Sequence, residues 1–322
     1  MTVTIDDIDA AALRLRGNVR QTPLLSAPLL DRIAGRRVLV KAECLQVTGS
    51  FKARGAWSAI SALPKGTPGV LAMSSGNHAQ GVAWAAAAHG MTAVIVMPAD
   101  APAVKIANTK AYGAEVVLYD RAADDRDAIA ARLSAERGLA LIPPFDHPLV
   151  IAGQGTTGLE IAAQAEALGI TEAEILVCCG GGGLSSGIAL ALATRAPGLR
   201  VHPVEPQGFD DMTRSLATGT PQHNAASTGS LCDAILTPTP GRLTLPILQA
   251  HAGPGIVVSD DQALQAMTLA FQHLRLVAEP GGAVALAAAL FSPDLPDTVI
   301  CTLSGGNVDP ALFTQTISRF AG

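Results

Sequence analysis

One lysine, Lys52, stands among small residues in the segment VTGSFKARGAW, residues 47–57. A lysine that only needs contact with water does not require such neighbours, because its flexible stem carries the charge into solvent from almost any position. The segment therefore predicts an amine that is placed for chemistry. The reaction open to such an amine is Schiff-base formation with a carbonyl compound.

Three turns rich in glycine and polar side chains each follow an apolar run of strand type. GGGG at 180–183 exposes backbone N–H groups at the start of a helix, which suits a phosphate. SSGNHAQG at 74–81 suits a carboxylate in the same way, and LSGGN at 303–307 is the third turn. Parallel sheets bind ligands at the carboxyl ends of their strands, so the three turns are expected to meet in one crevice.

A placed amine near a phosphate site and a carboxylate site matches the needs of a Schiff-base cofactor that carries a phosphate group. Pyridoxal 5'-phosphate (PLP) fits these needs best. The sequence has no Walker pattern, and no G-x-G-x-x-G with an acidic residue downstream. A nucleotide is therefore not specifically indicated.

The elements that position these turns alternate between apolar runs and alanine-rich runs. This alternation predicts an α/β fold with mostly parallel sheets and helices on both faces. A long irregular loop is expected at 218–246, and the prolines of IPPFDHP (142–148) interrupt helix and strand alike. Strands are predicted within 37–43, 70–76, 92–99, 114–120, 174–183, 199–206 and 297–307, and helices within 78–90, 101–113, 124–138, 158–169 and 183–198.

Charge and composition limit the partners and the cellular location that we expect for the protein. The net charge is -5 and the 22 Lys and Arg residues are scattered, which argues against nucleic acid as a partner. The N-terminus is acidic and no apolar run is long enough to span a membrane, so we expect a cytoplasmic protein without a membrane partner. Five cysteines in no C-x-x-C arrangement are expected to be reduced core residues.

The segments GSFKARGA, SSGNHAQG, IAGQGTTGLEI, GGGGL and LSGGN occur in the order found in the fold-type II PLP enzymes. From about residue 22 to 309, the chain resembles the branch of serine/threonine dehydratases, serine racemase and 3-hydroxyaspartate dehydratase. The resemblance implies a two-lobed fold like that of tryptophan synthase β. It implies a large cofactor-binding domain (1–65 and 146–322), a small mobile domain that closes over substrate (66–145), and a homodimer.

The same resemblance assigns cofactor contacts. Lys52 would form the Schiff base and later remove the substrate α-proton, and Arg54 nearby is expected to lower the pKa of its amine. A neutral hydroxyl facing the pyridine nitrogen would not keep that nitrogen protonated, which favours prompt loss of a β-hydroxyl group. The implied contacts are Phe51, Phe145 and Glu279 around the ring, Asn77 at the ring hydroxyl, Ser304 at the ring nitrogen, and Gly180, Gly181, Gly182, Gly183 and Leu184 at the phosphate.

Substrate contacts follow from the SSGNH turn. Ser74, Ser75, Asn77 and His78 are the candidates for binding the α-carboxylate. Ser75 also corresponds to the residue that faces the lysine across the cofactor in serine racemase, so some racemisation is conceivable. Arg126 resembles an arginine that approaches a second carboxylate, which would favour 3-hydroxyaspartate.

The segment VEPQGFDD (204–211) indicates a divalent cation. Two carboxylates six residues apart around a turn, together with a backbone carbonyl, suit a hard cation such as Mg²⁺ or Ca²⁺. By resemblance to the serine racemase branch, the ligands would be the side chains of Glu205 and Asp211 and the carbonyl oxygen of Phe209.

The function indicated is a PLP-dependent ammonia-lyase that eliminates water from a 3-hydroxy-L-amino acid and yields a 2-oxo acid and ammonia. Serine/threonine and 3-hydroxyaspartate rank about equally as substrates. Serine racemase and a β-replacement enzyme of the cysteine-synthase type remain the alternatives.

Overall fold

The computed structural model describes residues 2–320, and its larger sheet has six strands in the order β1-β2-β10-β7-β8-β9. All neighbours pair in parallel except β1 with β2. The strands are β1 (Leu24–Leu25), β2 (Arg37–Lys41), β7 (Ala173–Cys178), β8 (Leu199–Pro206), β9 (Ile256–Val258) and β10 (Thr298–Thr302).

A smaller sheet has four parallel strands in the order β5-β4-β3-β6. They are β3 (Gly69–Met73), β4 (Thr92–Pro98), β5 (Glu115–Tyr119) and β6 (Ala140–Leu141). All seven predicted strands are present, and the mostly parallel α/β fold is confirmed. The edge strands β1, β6 and β9 escaped prediction because two or three residues are too few to show a period. The domain boundaries at 65 and 145 stay a prediction.

Helices cover both faces of the larger sheet. The helices that contribute residues to the cavity described below are α3, α4, α5, α6 and α8. Within residues 2–320 the helices are α1 (Ile5–Leu15), α2 (Pro28–Ala34), α3 (Lys52–Ile60), α4 (Asn77–Ala88), α5 (Ala103–Ala111), α6 (Arg126–Arg137), α7 (Pro148–Ala167), α8 (Gly183–Arg195), α9 (Asp211–Thr218), α10 (Thr244–His251), α11 (Asp260–Leu274), α12 (Pro280–Phe291) and α13 (Pro310–Phe320).

Helix α7 begins ten residues earlier than predicted. Pro148 does not interrupt a helix but starts one, because proline at the first helical position needs no N–H partner and already has a helical φ. The glycines of α7 let it approach its neighbours closely. A Cβ on Gly153 would lie 2.6 Å from the carbonyl oxygen of Arg54 in α3, and one on Gly158 would lie 2.8 Å from Ala191 in α8. This packing seats α3, which carries Lys52.

Cys178, the last residue of β7, and Cys179, which follows it, illustrate how the larger sheet is buried on both faces. Cys178 packs with α2, α11 and α12, whereas Cys179 packs with α7 and α8 on the opposite face. All five cysteines are buried and free, as predicted. In the described part of the chain, no helix combines the length and the apolar character needed to cross a membrane. The segment 219–243 is irregular apart from a 3₁₀ turn, Asp233–Ile235, which confirms the predicted long loop.

Candidate active site

A cavity of about 740 Å³ opens beside the carboxyl ends of β3 and β7. The SSGNH turn (74–78) and the glycine turn (180–183) both line it, so the predicted meeting of these turns is confirmed. The third turn (303–307) does not line this cavity, contrary to the prediction, because it lies behind the SSGNH turn, where Asn307 donates to Asn77. The predicted residues that line the cavity are Phe51, Lys52, Ser74, Ser75, Asn77, His78, Arg126, Phe145, Gly180, Gly181, Gly182, Gly183 and Leu184.

Lys52 is the first residue of α3 and lies in the cavity wall. Its Nζ donates a hydrogen bond to the carbonyl oxygen of Pro144 at 2.8 Å. Burial lowers the pKa of the Lys52 amine to about 8, although the charge of Glu279 acts in the opposite direction. The amine is therefore held at one point and gives up its proton more readily than a solvated lysine does.

Arg54 does not cause this shift, contrary to the expectation from the sequence. Its guanidinium points away from the cavity and forms paired hydrogen bonds with Glu43 (2.8 and 2.7 Å) and with Glu160 (2.7 and 2.9 Å). These two carboxylates surround its charge, and Arg54 does not contribute to the pKa of the Lys52 amine. Arg54 instead anchors α3 to α7 and to the segment after β2.

The glycine turn forms a close-fitting recess against Phe145. A Cβ on Gly181 would lie 2.4 Å from the Phe145 ring, and one on Gly182 would lie 2.7 Å from Met212. Gly182 also has φ +89°, a left-handed conformation that favours glycine. The turn leads directly into α8 at Gly183, so its N–H groups lie at the positive end of that helix. This recess fits the phosphate of PLP.

Asn77 is held on both sides of its carboxamide. Its Nδ2 donates to the carboxylate of Glu279, and its Oδ1 accepts from Asn307 Nδ2 at 2.7 Å. Asn307 also donates to the carbonyl oxygen of Thr48 at 2.9 Å. Asn307 belongs to the third turn, whose motif gave no reason to single it out. Asn77 lines the cavity, whereas Glu279, which the resemblance places beside the cofactor ring, is buried behind Asn77 and does not line it.

Ser304 lies next to Phe51, just after the end of β10. Its backbone carbonyl accepts from the Phe51 N–H at 3.1 Å, and its own N–H donates to the carbonyl of Gly282 at 3.0 Å. Both bonds fix the position of Ser304 next to the start of α3. The residue is 4% exposed and its side chain is a neutral hydroxyl, so no carboxylate stands at this position.

His78 enters the cavity as a neutral imidazole. Burial, reinforced by the charge of Lys52, lowers its pKa to about 3. Its Nε2 lies 2.8 Å from the carbonyl oxygen of Ile142 and must donate to it, so Nδ1, which has no partner among the described residues, can only accept. An acceptor cannot bind a carboxylate oxygen. The group of His78 that can donate to a substrate carboxylate is therefore its backbone N–H at the start of α4, not its imidazole.

Two arginines line the cavity at its mouth. Arg126 was predicted, and its side chain is 52% exposed with only a distant carboxylate, Asp127, at 3.9 Å. Arg121 was not predicted because it stands in an irregular polar run, and it pairs with Asp100 at 2.8 and 3.1 Å. Both guanidinium groups also border a small recess beside Ser75. Positive charge therefore faces the space next to the predicted carboxylate site.

Lys105 is a further cation that the sequence did not reveal. It stands in α5, where a lysine is ordinary, yet its side chain is only 4% exposed and lines the cavity. Its Nζ lies 2.8 Å from Asp233 and 3.4 Å from Glu279. These two acids raise the pKa of Lys105 above its usual value although burial opposes them.

The predicted metal ligands lie outside the cavity, behind the glycine turn. Glu205 accepts from the N–H groups of Met212 and Thr213 at 2.9 and 2.7 Å, whereas Asp211 Oδ2 is buried without a partner among the described residues. Burial raises the pKa of Glu205 to about 8 and that of Asp211 to about 6. Residues 2–320 contain no cluster of three or more acidic, histidine or cysteine side chains suited to a metal. Two buried carboxylates with one free oxygen still fit a hard cation.

Comparison with known proteins agrees with this geometry. A family profile described as "Pyridoxal-phosphate dependent enzyme" matches residues 15–305. L-threo-3-hydroxyaspartate ammonia-lyase of Pseudomonas sp is 41% identical over 307 residues, which are 94% of this chain and 95% of that protein. Serine racemase of Schizosaccharomyces pombe is 38% identical, and the match covers 98% of each chain.

Among solved structures, maize serine racemase has a TM-score of 0.91 and 35% sequence identity, and the match covers 100% of this chain and 98% of that one. Such identity over nearly whole chains goes well beyond a shared fold. The residues around Lys52 and the glycine turn fit the amine and phosphate requirements of PLP. The chain belongs to the pyridoxal-phosphate dependent enzymes, and PLP is its cofactor.

Proposed function

We propose that the protein is an ammonia-lyase that eliminates water from a 3-hydroxy-L-amino acid and releases a 2-oxo acid and ammonia. One observation carries the proposal: the Lys52 amine, the SSGNH turn and the glycine turn line the same cavity. The names of the relatives, which include ammonia-lyases for threo-3-hydroxyaspartate and threonine, support this reaction type.

PLP, when bound, supplies an electron sink that makes the substrate α-proton acidic. The protein's part is to hold and move that proton. An amine with a pKa near 8 is partly neutral close to physiological pH, so Lys52 can accept a proton there. The Pro144 carbonyl fixes its Nζ in one place. The backbone N–H groups at the start of α4 and the Ser75 hydroxyl orient the substrate carboxylate.

Ser304 matters for the type of reaction because its side chain carries no negative charge. A buried hydroxyl next to the start of α3 cannot stabilise a positive charge as a carboxylate would. If Ser304 faces the ring nitrogen of bound PLP, as the resemblance implies, it would not favour protonation of that nitrogen, and the cofactor would be a weaker electron sink. Prompt loss of the β-hydroxyl group would then be easier than reactions that need long-lived negative charge at Cα. This supports elimination over transamination.

Within this reaction class, we propose a substrate with a second carboxylate, such as L-threo-3-hydroxyaspartate. Within residues 2–320 the one carboxylate paired with Arg126 is that of Asp127, at 3.9 Å, and Arg126 lines the cavity that Ser75 also lines. A guanidinium can bind a side-chain carboxylate through two hydrogen bonds, and neither serine nor threonine has a second carboxylate to bind in this way. Serine racemisation is the second candidate, favoured by the Ser75 hydroxyl in the cavity wall.

The proposal is tested by measuring ammonia release from L-serine, L-threonine and the stereoisomers of 3-hydroxyaspartate, with Lys52→Ala as the control. We expect release from at least one of these substrates and none from the variant. A wild-type protein that binds PLP but releases no ammonia from any of them would contradict the proposal. Formation of D-serine without ammonia would favour the racemase instead.

Three further predictions concern the protein's setting. We propose that Glu205, Phe209 and Asp211 bind Mg²⁺ or Ca²⁺ behind the glycine turn, where the cation would offset two buried carboxylates. Homodimer formation and a cytoplasmic location stay predictions.

A further inference from the structure

Lys105 occupies a position that is unfavourable for a cation by itself. It lies in the first turn of α5, where the helix dipole repels positive charge, and its side chain is almost fully buried. A buried charge of this kind requires paired partners. Asp233 at 2.8 Å and Glu279 at 3.4 Å supply them.

These partners come from a different part of the fold. Helix α5 packs with α4 and β5, beside the smaller sheet. Asp233 belongs to the 3₁₀ turn in the long loop, and Glu279 precedes α12, which packs on the larger sheet. Lys105 therefore connects the two lobes directly at the cavity.

The stem of Lys105 also lies against the SSGNH turn. A Cβ on Gly76 would be 2.9 Å from Lys105 Cδ and 3.3 Å from its Nζ. Any side chain at residue 76 would displace the lysine. On the other side of the same turn, Asn77 donates to Glu279, the carboxylate that Lys105 contacts. Lys105 thus acts on the turn in two ways. Its side chain packs against Gly76, and it contacts Glu279, which accepts a hydrogen bond from Asn77.

We infer that Lys105 is a positioning residue, which holds the SSGNH turn against the larger sheet so that its N–H groups and hydroxyls can bind the substrate carboxylate. Lys105 is held in place by its bridge to Asp233, acts on the turn through Gly76 and Glu279, and does not touch the reacting atoms. Within residues 2–320 none of its hydrogen bonds reaches the glycine turn, so the contacts expected for the PLP phosphate do not involve it directly. The expected effect of Lys105 on KM for ammonia release rests on the proposed ammonia-lyase function, whereas its expected effect on glycine binding does not.

The test compares Lys105→Met, Lys105→Arg and the control Lys110→Met, which removes an exposed cation from the same helix. We expect Lys105→Met to raise KM for ammonia release about tenfold, roughly the loss of one oriented contact, with kcat little changed. Lys105→Arg should restore most of the affinity and Lys110→Met should behave as wild type. The affinity of each cofactor-free protein for PLP should change less than its affinity for glycine, because Lys105 has no hydrogen bond to the glycine turn.

Glycine binding to the PLP-loaded protein, followed by cofactor absorbance, gives a readout without turnover. Lys105→Met should weaken glycine binding by a similar factor, even if the wild type releases no ammonia and the proposed function fails. Unchanged glycine binding, or an equal loss of PLP affinity, would overturn the inference.

Asp233→Asn provides a second variant, should Lys105→Met fold poorly, because Asp233 is partly exposed and its replacement leaves no buried cavity. It should weaken glycine binding less than Lys105→Met does, and the double variant should be no worse than Lys105→Met. Additive losses would show that Lys105 does not act through this bridge.

Discussion

Lys52 and Arg54 are two residues apart at the start of α3, yet they face different surroundings. The Lys52 amine points into the cavity and donates to the Pro144 carbonyl, whereas the Arg54 guanidinium is buried between Glu43 and Glu160. One helix turn therefore carries the reactive amine on one side and its anchor on the other. The ion pairs of Arg54 hold the start of α3, and with it Lys52, in place, and they do not alter the charge of the Lys52 amine.

The pKa of Lys52 predicts when the cofactor-free protein reacts with PLP. The neutral amine is the nucleophile, and its pKa is lowered from 10.5 to about 8, so the association rate constant should rise with pH and level off above about 8. Stopped-flow absorbance as a function of pH measures this. Lys52→Ala should show no such phase. A midpoint near the ordinary lysine value would contradict the assignment.

Replacement of Arg54 tests its role as an anchor. Arg54→Met leaves the buried carboxylate of Glu43 without its ion-pair partner and the partly buried carboxylate of Glu160 with Lys41 alone, which should cost about 3–5 kcal/mol in the free energy of unfolding. Urea unfolding measures the loss. Arg132→Met, which breaks an exposed pair with Glu136, should cost no more than about 0.5 kcal/mol. Similar losses in the two variants would show that the buried pairs do not anchor α3.

Gly181→Ala tests the recess for the phosphate. The added Cβ would lie 2.4 Å from the Phe145 ring, so the ring or the turn must move, at a cost of about 1–3 kcal/mol. We expect weaker PLP binding in a fluorescence titration. The double variant Gly181→Ala/Phe145→Leu should recover part of the affinity, because the smaller side chain removes the clash. Wild-type affinity in Gly181→Ala would mean that this contact does not shape the PLP site.

Arg126→Ala tests the second carboxylate. We expect kcat/KM for L-threo-3-hydroxyaspartate to fall about tenfold, or ~1.4 kcal/mol, because the half-exposed guanidinium loses a charge-assisted contact. The value for L-serine should stay unchanged, since serine has no second carboxylate. Arg132→Ala, on the same helix, is the matched control. An equal fall for both substrates would remove the selective role of Arg126.

Replacement of Asp211, one of the proposed metal ligands, tests the cation site. Mg²⁺ or Ca²⁺ should raise the thermal unfolding midpoint of the wild type, because binding to the folded state alone stabilises it. In Asp211→Asn the same additions should have little effect, since the oxygen without a partner belongs to this side chain. Excess chelator should return the wild type to its cation-free midpoint. Equal responses in both proteins would place any cation elsewhere.

The sequence by itself determined the seven longer strands, the α/β class and the residues of the three turns. Their signals are local: apolar runs of strand length, glycines at helix starts, and one lysine among small residues. The cavity confirmed that the SSGNH turn and the glycine turn meet, because parallel strands bring their carboxyl ends to one edge.

Only the tertiary structure decided which charges act on which groups. Arg54 is near Lys52 in sequence, but Glu43 and Glu160 balance its charge; burial lowers the pKa of the Lys52 amine, and the distant Glu279 opposes that change. The burial of Lys105 and the bond from His78 to Ile142 likewise join residues that are remote along the chain. Electrostatic effects depend on burial and on distances between side chains, and no local pattern of residue types records either.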